Sequence, residues 1–474
     1  MNHHSAGMVL QGLRRRGRVR FEPGILVLII ALHLAVPRKT RAEQRLDLKT
    51  MLYMEDGDRM KIIAPAILYE YEISPSLTIK IEGIYNSISG ASPTGAPAST
   101  TYTTTSSGGT IVVPTSSPAP TPPPPVIIGD DDDHEDDEFE GDARRGRAAK
   151  FIHYAGATPT PTPTPTPAPT PTSTPTSSSS GSGGGGGTTT TTSSSSSGKV
   201  PKADVEDTRV GFTVDLIKKL GRHTPSLMLA YSTESDYKSF GLALRDSVDF
   251  NKKNTTLMYG GALTHDLVEA DTLPSSETKD TVDAMVGVTQ LLDPQTFVTV
   301  NLTASHVSGC LADPYKVAEV NGVLVAENRP DNKDKLIVFT SLNHYFKALR
   351  GGMEGSYRWY NDSFGIQADT FELAWYQKIG PHFVLRPQVR YYEQTAADFY
   401  SVRFTGAPEF YSADYRLSAL QAFGYGLKFI WTPNDKVSFD LAVDRYEQKG
   451  KDSATPPDAY PQANVITAGV RIWF

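Results

Sequence analysis

The chain has 474 residues, of which 46 are basic, 53 acidic and one, Cys310, a cysteine. Charge so nearly balanced, with much of the acidic excess in one run, excludes a basic nucleic-acid groove, and no nucleic-acid partner is expected. A single thiol excludes an internal disulfide and any multi-cysteine zinc, iron–sulfur or haem-attachment motif, so no metal or cofactor is expected either.

The first segment, residues 1–42, reads as a signal peptide. Arg14, Arg15, Arg16, Arg18 and Arg20 precede a thirteen-residue apolar stretch, Gly24 to Val36, and a polar segment ending at Ala42. That stretch is shorter than the ~20 residues a spanning helix needs. No later run approaches that length, so any residence in a membrane must be by strands. Residues 43–88 predict strands 1–3.

Residues 89–205 collapse into Thr, Ser, Pro and Gly, with a Thr-Pro repeat at Thr158 to Pro171 and glycines at Gly183 to Gly187. Such composition cannot bury enough apolar surface to offset the entropy of ordering it, and the segment is expected to be a disordered extracellular insertion. Its acidic run, Asp130 to Glu138, lacks the alternating ligands and turn glycine of a calcium loop and reads as solvated charge.

Residues 206–474 predict strands 4–16, with period-two alternation between turn residues. Counting the whole chain, sixteen strands begin near residues 45, 59, 77, 206, 224, 237, 254, 279, 296, 334, 351, 365, 383, 413, 436 and 463. The last is the clearest, with Ile466, Ala468, Val470, Ile472 and Phe474 on one face and Thr467, Gly469, Arg471 and Trp473 on the other. Short connections fall on one side, and the long ones (the insertion, His265–Thr278, Ser308–Lys333, Gln394–Ser412 and Gln448–Gln462) all fall on the other. Alternation, an even count and this asymmetry predict an all-β, antiparallel up-and-down transmembrane barrel of the bacterial outer membrane, with periplasmic termini and extracellular long loops.

Six segments carry a family resemblance. They are Ser89–Gly95, Tyr231–Tyr237, Asn254–Leu257, Asp313-Pro314-Tyr315, Arg390–Tyr392 with Ala396–Tyr400, and Ser412–Ser418. Together they resemble the bacterial family catalogued as domain of unknown function 3570. The resemblance implies an outer-membrane barrel and supplies no substrate, cofactor or catalytic residue.

If the last strand sets the facing rule, its apolar face meets lipid and the lumen receives Lys80, Glu82, Arg209, Asp215, Glu354, Arg358, Glu372, Arg386, Arg390, Arg416, Lys428, Asp440, Asp444 and Arg471. Such mixed charge either lines a field that guides polar solutes or pairs across strands to brace a filled wall. Arg386, Gln388, Arg390 and Tyr392 form the densest donor ladder, suited to anions. The outer-loop aromatics Phe399, Tyr400, Phe404, Phe410, Tyr411 and Tyr415 could stack on sugars, fold inward as a constriction or form an interfacial girdle. A lipid hydrolase would need Ser305 with His306, or Ser341, Asn343 and His344, but adjacent strand residues point to opposite faces, so no enzymatic activity is expected. The function that fits best is a channel or uptake protein for small polar or anionic solutes. The alternative is a surface-display or structural barrel with a filled lumen. Expected partners are outer-membrane lipids, lipopolysaccharide and a barrel-insertion machinery that would engage the final strand ending in Phe474.

Overall fold

The computed structural model describes residues 44–97, 101–104, 191–194 and 200–474. The expected signal peptide and most of the expected insertion lie outside the described residues. What is described is built from strands and short 3-10 turns, as the alternating sequence dictates.

Sixteen antiparallel strands close into a barrel in chain order. They are β1 Gln44–Glu55, β2 Met60–Ser74, β3 Leu77–Pro93, β4 Lys202–Lys218, β5 His223–Thr233, β6 Tyr237–Phe250, β7 Thr255–Val268 and β8 Glu277–Asp293, followed by β9 Thr296–Gly309, β10 Asn332–Phe346, β11 Gly351–Asp362, β12 Gln367–Ile379, β13 Phe383–Gln394, β14 Leu420–Asn434, β15 Val437–Gly450 and β16 Gln462–Trp473. β16 returns to β1 with Asp47 opposite Arg471 and Leu48 opposite Val470, so no wall strand is left with an unpaired edge.

Strand starts depart from the sequence reading by more than a few residues at β4 and β14. The ladder of β3 with β4 runs on from Ser89↔Glu206 to Pro93↔Lys202, inside the span assigned to the insertion. Backbone hydrogen bonds do not depend on side-chain hydrophobicity, so pairing outlasts the patterned sequence. β14 begins at Leu420 and not near 413, because residues 415–417 form a 3-10 turn capped by the Asp414 side chain, which accepts from the Arg416 amide.

The pleat sorts the side chains. Leu302, Leu342, Phe371, Leu373, Val389, Phe423, Leu427, Leu441 and Val443 stand exposed on the outer face. Lys80, Asp215, Thr299, Asn301, Arg386 and Lys428 are buried on the inner one. At the seam, Arg471 Nε lies 3.0 Å from Asp47 Oδ1 and its guanidinium 5.8 Å from the Trp473 ring centroid. Removing one partner of an enclosed ion pair strands the other. Asp47→Ala is therefore expected to lower barrel stability by about 3 kcal/mol, read as an earlier urea midpoint in the Trp fluorescence of the folded chain.

Candidate functional site

The ladder registers bring the expected lumen residues other than Arg416 onto one face, and their contacts divide them into two groups. The first braces the wall. Lys80 lies 3.4 Å from Glu70, Glu70 3.4 Å from Arg45, Arg45 3.5 Å from Asp47, and Asp47 meets Arg471, a chain of alternating charge across the seam. Lys428 is 3.9 Å from Asp440, and Arg209 is 3.5 Å from Glu234. Asp215 faces Lys80 in register, and Glu82 is on the same face of β3.

The second group lies on β11 to β15. Arg386 donates to Gln388 Oε1 at 2.5 Å, and Gln388 donates to Asp444 Oδ1 at 2.7 Å. The Arg386 guanidinium lies over the Tyr376 ring at 5.0 Å, and the Tyr376 hydroxyl donates to Glu354 at 3.2 Å. Arg390 Nε sits 2.9 Å from Glu372 Oε1. Glycines let these side chains lie flat: a Cβ at Gly426 would come 1.6 Å from Asp444 Oδ1, and one at Gly469 2.4 Å from Asp440 Oδ1. Arg358 alone among the described inward arginines and lysines is exposed, although Arg390, Tyr360, Tyr392 and Glu372 lie within electrostatic reach of it.

Arg416 is not a wall residue. It lies in the 3-10 turn before β14, where its guanidinium binds Asp414 and reaches Asp313 at 2.7 Å. The sequence pattern misplaced it because alternation continues through Ala413–Ser418 without a strand partner. Phe474 follows β16, exposed, with its amide bonded to the Gln44 carbonyl at 3.0 Å.

The hydrolase candidates are not brought together. Ser305 lies opposite Lys335 on the inner face, while the outer-facing His306 binds Asp334 at 2.7 Å. Asn343 pairs with Glu354 across the ladder, and His344 meets Thr296 at 2.7 Å.

The feature that sequence reasoning missed is a cap at the end carrying the long connections. Val317–Val320 and Val323–Ala326 form a hairpin, joined in parallel by Arg403–Phe404. Beneath it Glu327, with its side chain fully buried, meets Arg329 at 2.7 Å, and Arg329 reaches Asp414 at 2.9 Å. Lys316 donates to the Pro93 carbonyl, and the Tyr315 hydroxyl donates to Asp236. Thr272 donates to the Pro314 carbonyl at 2.9 Å, Tyr400 meets Thr455 at 2.6 Å, and Arg59 donates to the Asp458 and Tyr460 carbonyls. Connections from around the whole circumference are thereby tied together. Phe399 packs edge-on against Phe364 at 4.9 Å and Tyr415 against Tyr460 at 5.5 Å, so these aromatics are interior to the cap and not an interfacial girdle. Five of the six segments that carry the family resemblance, all but Asn254–Leu257, contribute to the cap or its rim, and that was the signal available in the sequence.

Burial pushes the Glu327 carboxyl up against the pull of Arg329. Burial would push Asp414 up too, but Arg416, Lys316 and Arg329 outweigh it and hold that carboxyl well below the usual range. Asp236 is pushed up to about 7, first by burial and then by the neighbouring Asp207 and Asp313, against the Tyr315 hydrogen bond.

A family model described as "Protein of unknown function (DUF3570)" matches residues 30–276 and 271–467. The chain belongs to this family. No curated relative matches it. Among solved structures, it is similar to the siderophore receptor PirA from Pseudomonas aeruginosa at 9% identity and a TM-score of 0.39, covering 90% of this chain and 60% of that one. It is also similar to the outer membrane protein opdK from Pseudomonas aeruginosa at 7% identity and a TM-score of 0.38, covering 91% and 99%. The chain thus spans less than two thirds of the receptor's length, and likeness this distant carries no argument about function.

Asp236 has a folded-state pKa above its ordinary 3.8. Its contribution therefore favours the cap at acid pH and is withdrawn as pH rises towards and through about 7. Glu327, raised likewise, acts in the same sense. Amide exchange in residues 310–331, corrected for intrinsic rates, is expected to quicken between about pH 5 and pH 8, and Asp236→Asn should flatten most of that dependence.

Proposed function

We propose that the chain is an outer-membrane channel or uptake barrel for small polar and anionic solutes, with its termini in the periplasm and its cap outside the cell. The observation that carries this reading is the pairing of an apolar outer face with an inner face of charged and polar side chains, laid flat over glycines on β14 and β16. An exposed belt of Leu, Val and Phe suits lipid, and a polar inner face suits water and solute. Lipid and lipopolysaccharide would cover the belt, and the final strand with Phe474 is the natural contact for an insertion machinery. Among the described residues the serine, histidine and asparagine candidates are not brought together, and we propose a non-enzymatic role.

The knitted cap favours a second reading, in which the barrel is a holder and the outer connections are its working part. Planar-bilayer recordings separate the two. Stepwise currents are expected from the full chain, or from Arg416→Ala, which releases Asp313 and Asp414 from their shared guanidinium. Persistent silence from both, and from a chain lacking residues 105–190, would sink the channel reading. Independently, Leu302→Arg on the outer face is expected to destabilise the barrel in vesicles by ~2–4 kcal/mol if that position lies near the bilayer midplane; a change near zero would place β9 elsewhere.

A further inference from the structure

We infer that Arg358 and Arg390 form a lumenal binding site for a small carboxylate carried on an apolar or aromatic body. The inference rests on the channel reading only in supposing that solute reaches the lumen. Arg358 makes no hydrogen bond or ion pair among the described residues, although it is enclosed by the wall and exposed within it. Arg390 meets Glu372 through Nε, and its two terminal nitrogens make no hydrogen bond among the described residues. Arg358 lies one register step from Glu372, the carboxylate that Arg390 binds, so two guanidiniums act electrostatically on one another with one bound carboxylate beside them, and a second anion would relieve their repulsion. A planar fork of donors fits the two oxygens of a carboxylate in a way that a point charge does not.

The floor of the site follows from register. Arg358 on β11 faces Thr370 on β12, which faces Tyr392 on β13. One step along, Tyr360 faces Ala368, which faces Gln394. Thr370 and Ala368 on β12, both buried, thus form a floor of small side chains flanked by long ones on both neighbouring strands. The hydroxyls on its sides are already committed: Tyr360 donates to Asp362 at 2.7 Å and Tyr392 to Gln394 at 2.5 Å. What the tyrosines offer a ligand is ring surface and not a free donor. A polyhydroxylated sugar would leave most of its own polar groups unmatched against those rings, and a bare phosphate, though it suits the guanidiniums, would leave the rings uncovered, whereas a carboxylate with an apolar body engages both.

Titration calorimetry of the full chain in detergent, with sodium benzoate as the probe, tests this without requiring conduction. Saturable binding is expected, weakened at least about tenfold in Arg358→Gln. Arg358→Lys, which keeps the charge and loses the fork, should recover only part of it. Since Arg358 holds no hydrogen bond or ion pair, both variants should keep the heat-dependent gel mobility of a folded barrel. Benzoate binding that is absent, or equal in wild type and Arg358→Gln, overturns the site, and phosphate binding as tightly as benzoate overturns its ligand class. Binding in a barrel that stays silent in bilayers supports the site while sinking the channel reading.

Discussion

Closure of the sheet is the constraint on which everything else depends. An open sheet presents two rows of unpaired N–H and C=O groups, and in a hydrocarbon environment each would cost several kcal/mol. Pairing β1 with β16 through eleven consecutive partners, from Arg45↔Trp473 to Glu55↔Ala463, removes both edges. Once the ring is closed, the pleat leaves each side chain one of two places, and a residue's parity decides which. The lumen is therefore a consequence of closure and alternation.

Inside that ring, charge has two uses. Around the seam, Lys80, Glu70, Arg45, Asp47 and Arg471 alternate in sign and hold neighbouring strands in register. Across β11 to β13 the balance fails locally, because Glu372 is the carboxylate for Arg390 while Arg358 has none bonded to it. An imbalance facing enclosed solvent is where a lumen can discriminate by charge. The glycines opposite Asp440 and Asp444 act on the same problem from the other side, by drawing those carboxylates against the wall.

The cap adds a second level of order. Its buried groups of both signs, Lys316, Arg329, Glu327, Asp414 and Asp313 among them, come from connections far apart in sequence, and each is tolerable in low dielectric only because the others are present. Loss of one partner should loosen the assembly as a unit. Asp236 and Glu327, both raised by burial, give it a dependence on pH.

Alternation in single segments such as Ile466–Phe474 was enough to determine the strands, their number and the inward or outward facing of Arg358, Arg386, Arg390 and Asp444, because a period of two is a local property. Composition likewise located where the patterned chain breaks off, to within five residues on β3 and four on β4. The cap was decided only in three dimensions. Asp313, Glu327 and Asp414 are unremarkable polar loop residues one at a time, and their burial exists only once closure brings the loops over one mouth. Arg416 shows the limit most plainly: its alternating neighbours read as wall, yet a 3-10 turn and two carboxylates claim it for the cap. The solvent exposure of Arg358 belongs to the same class, since pattern can say which way a side chain points but only packing says what it meets.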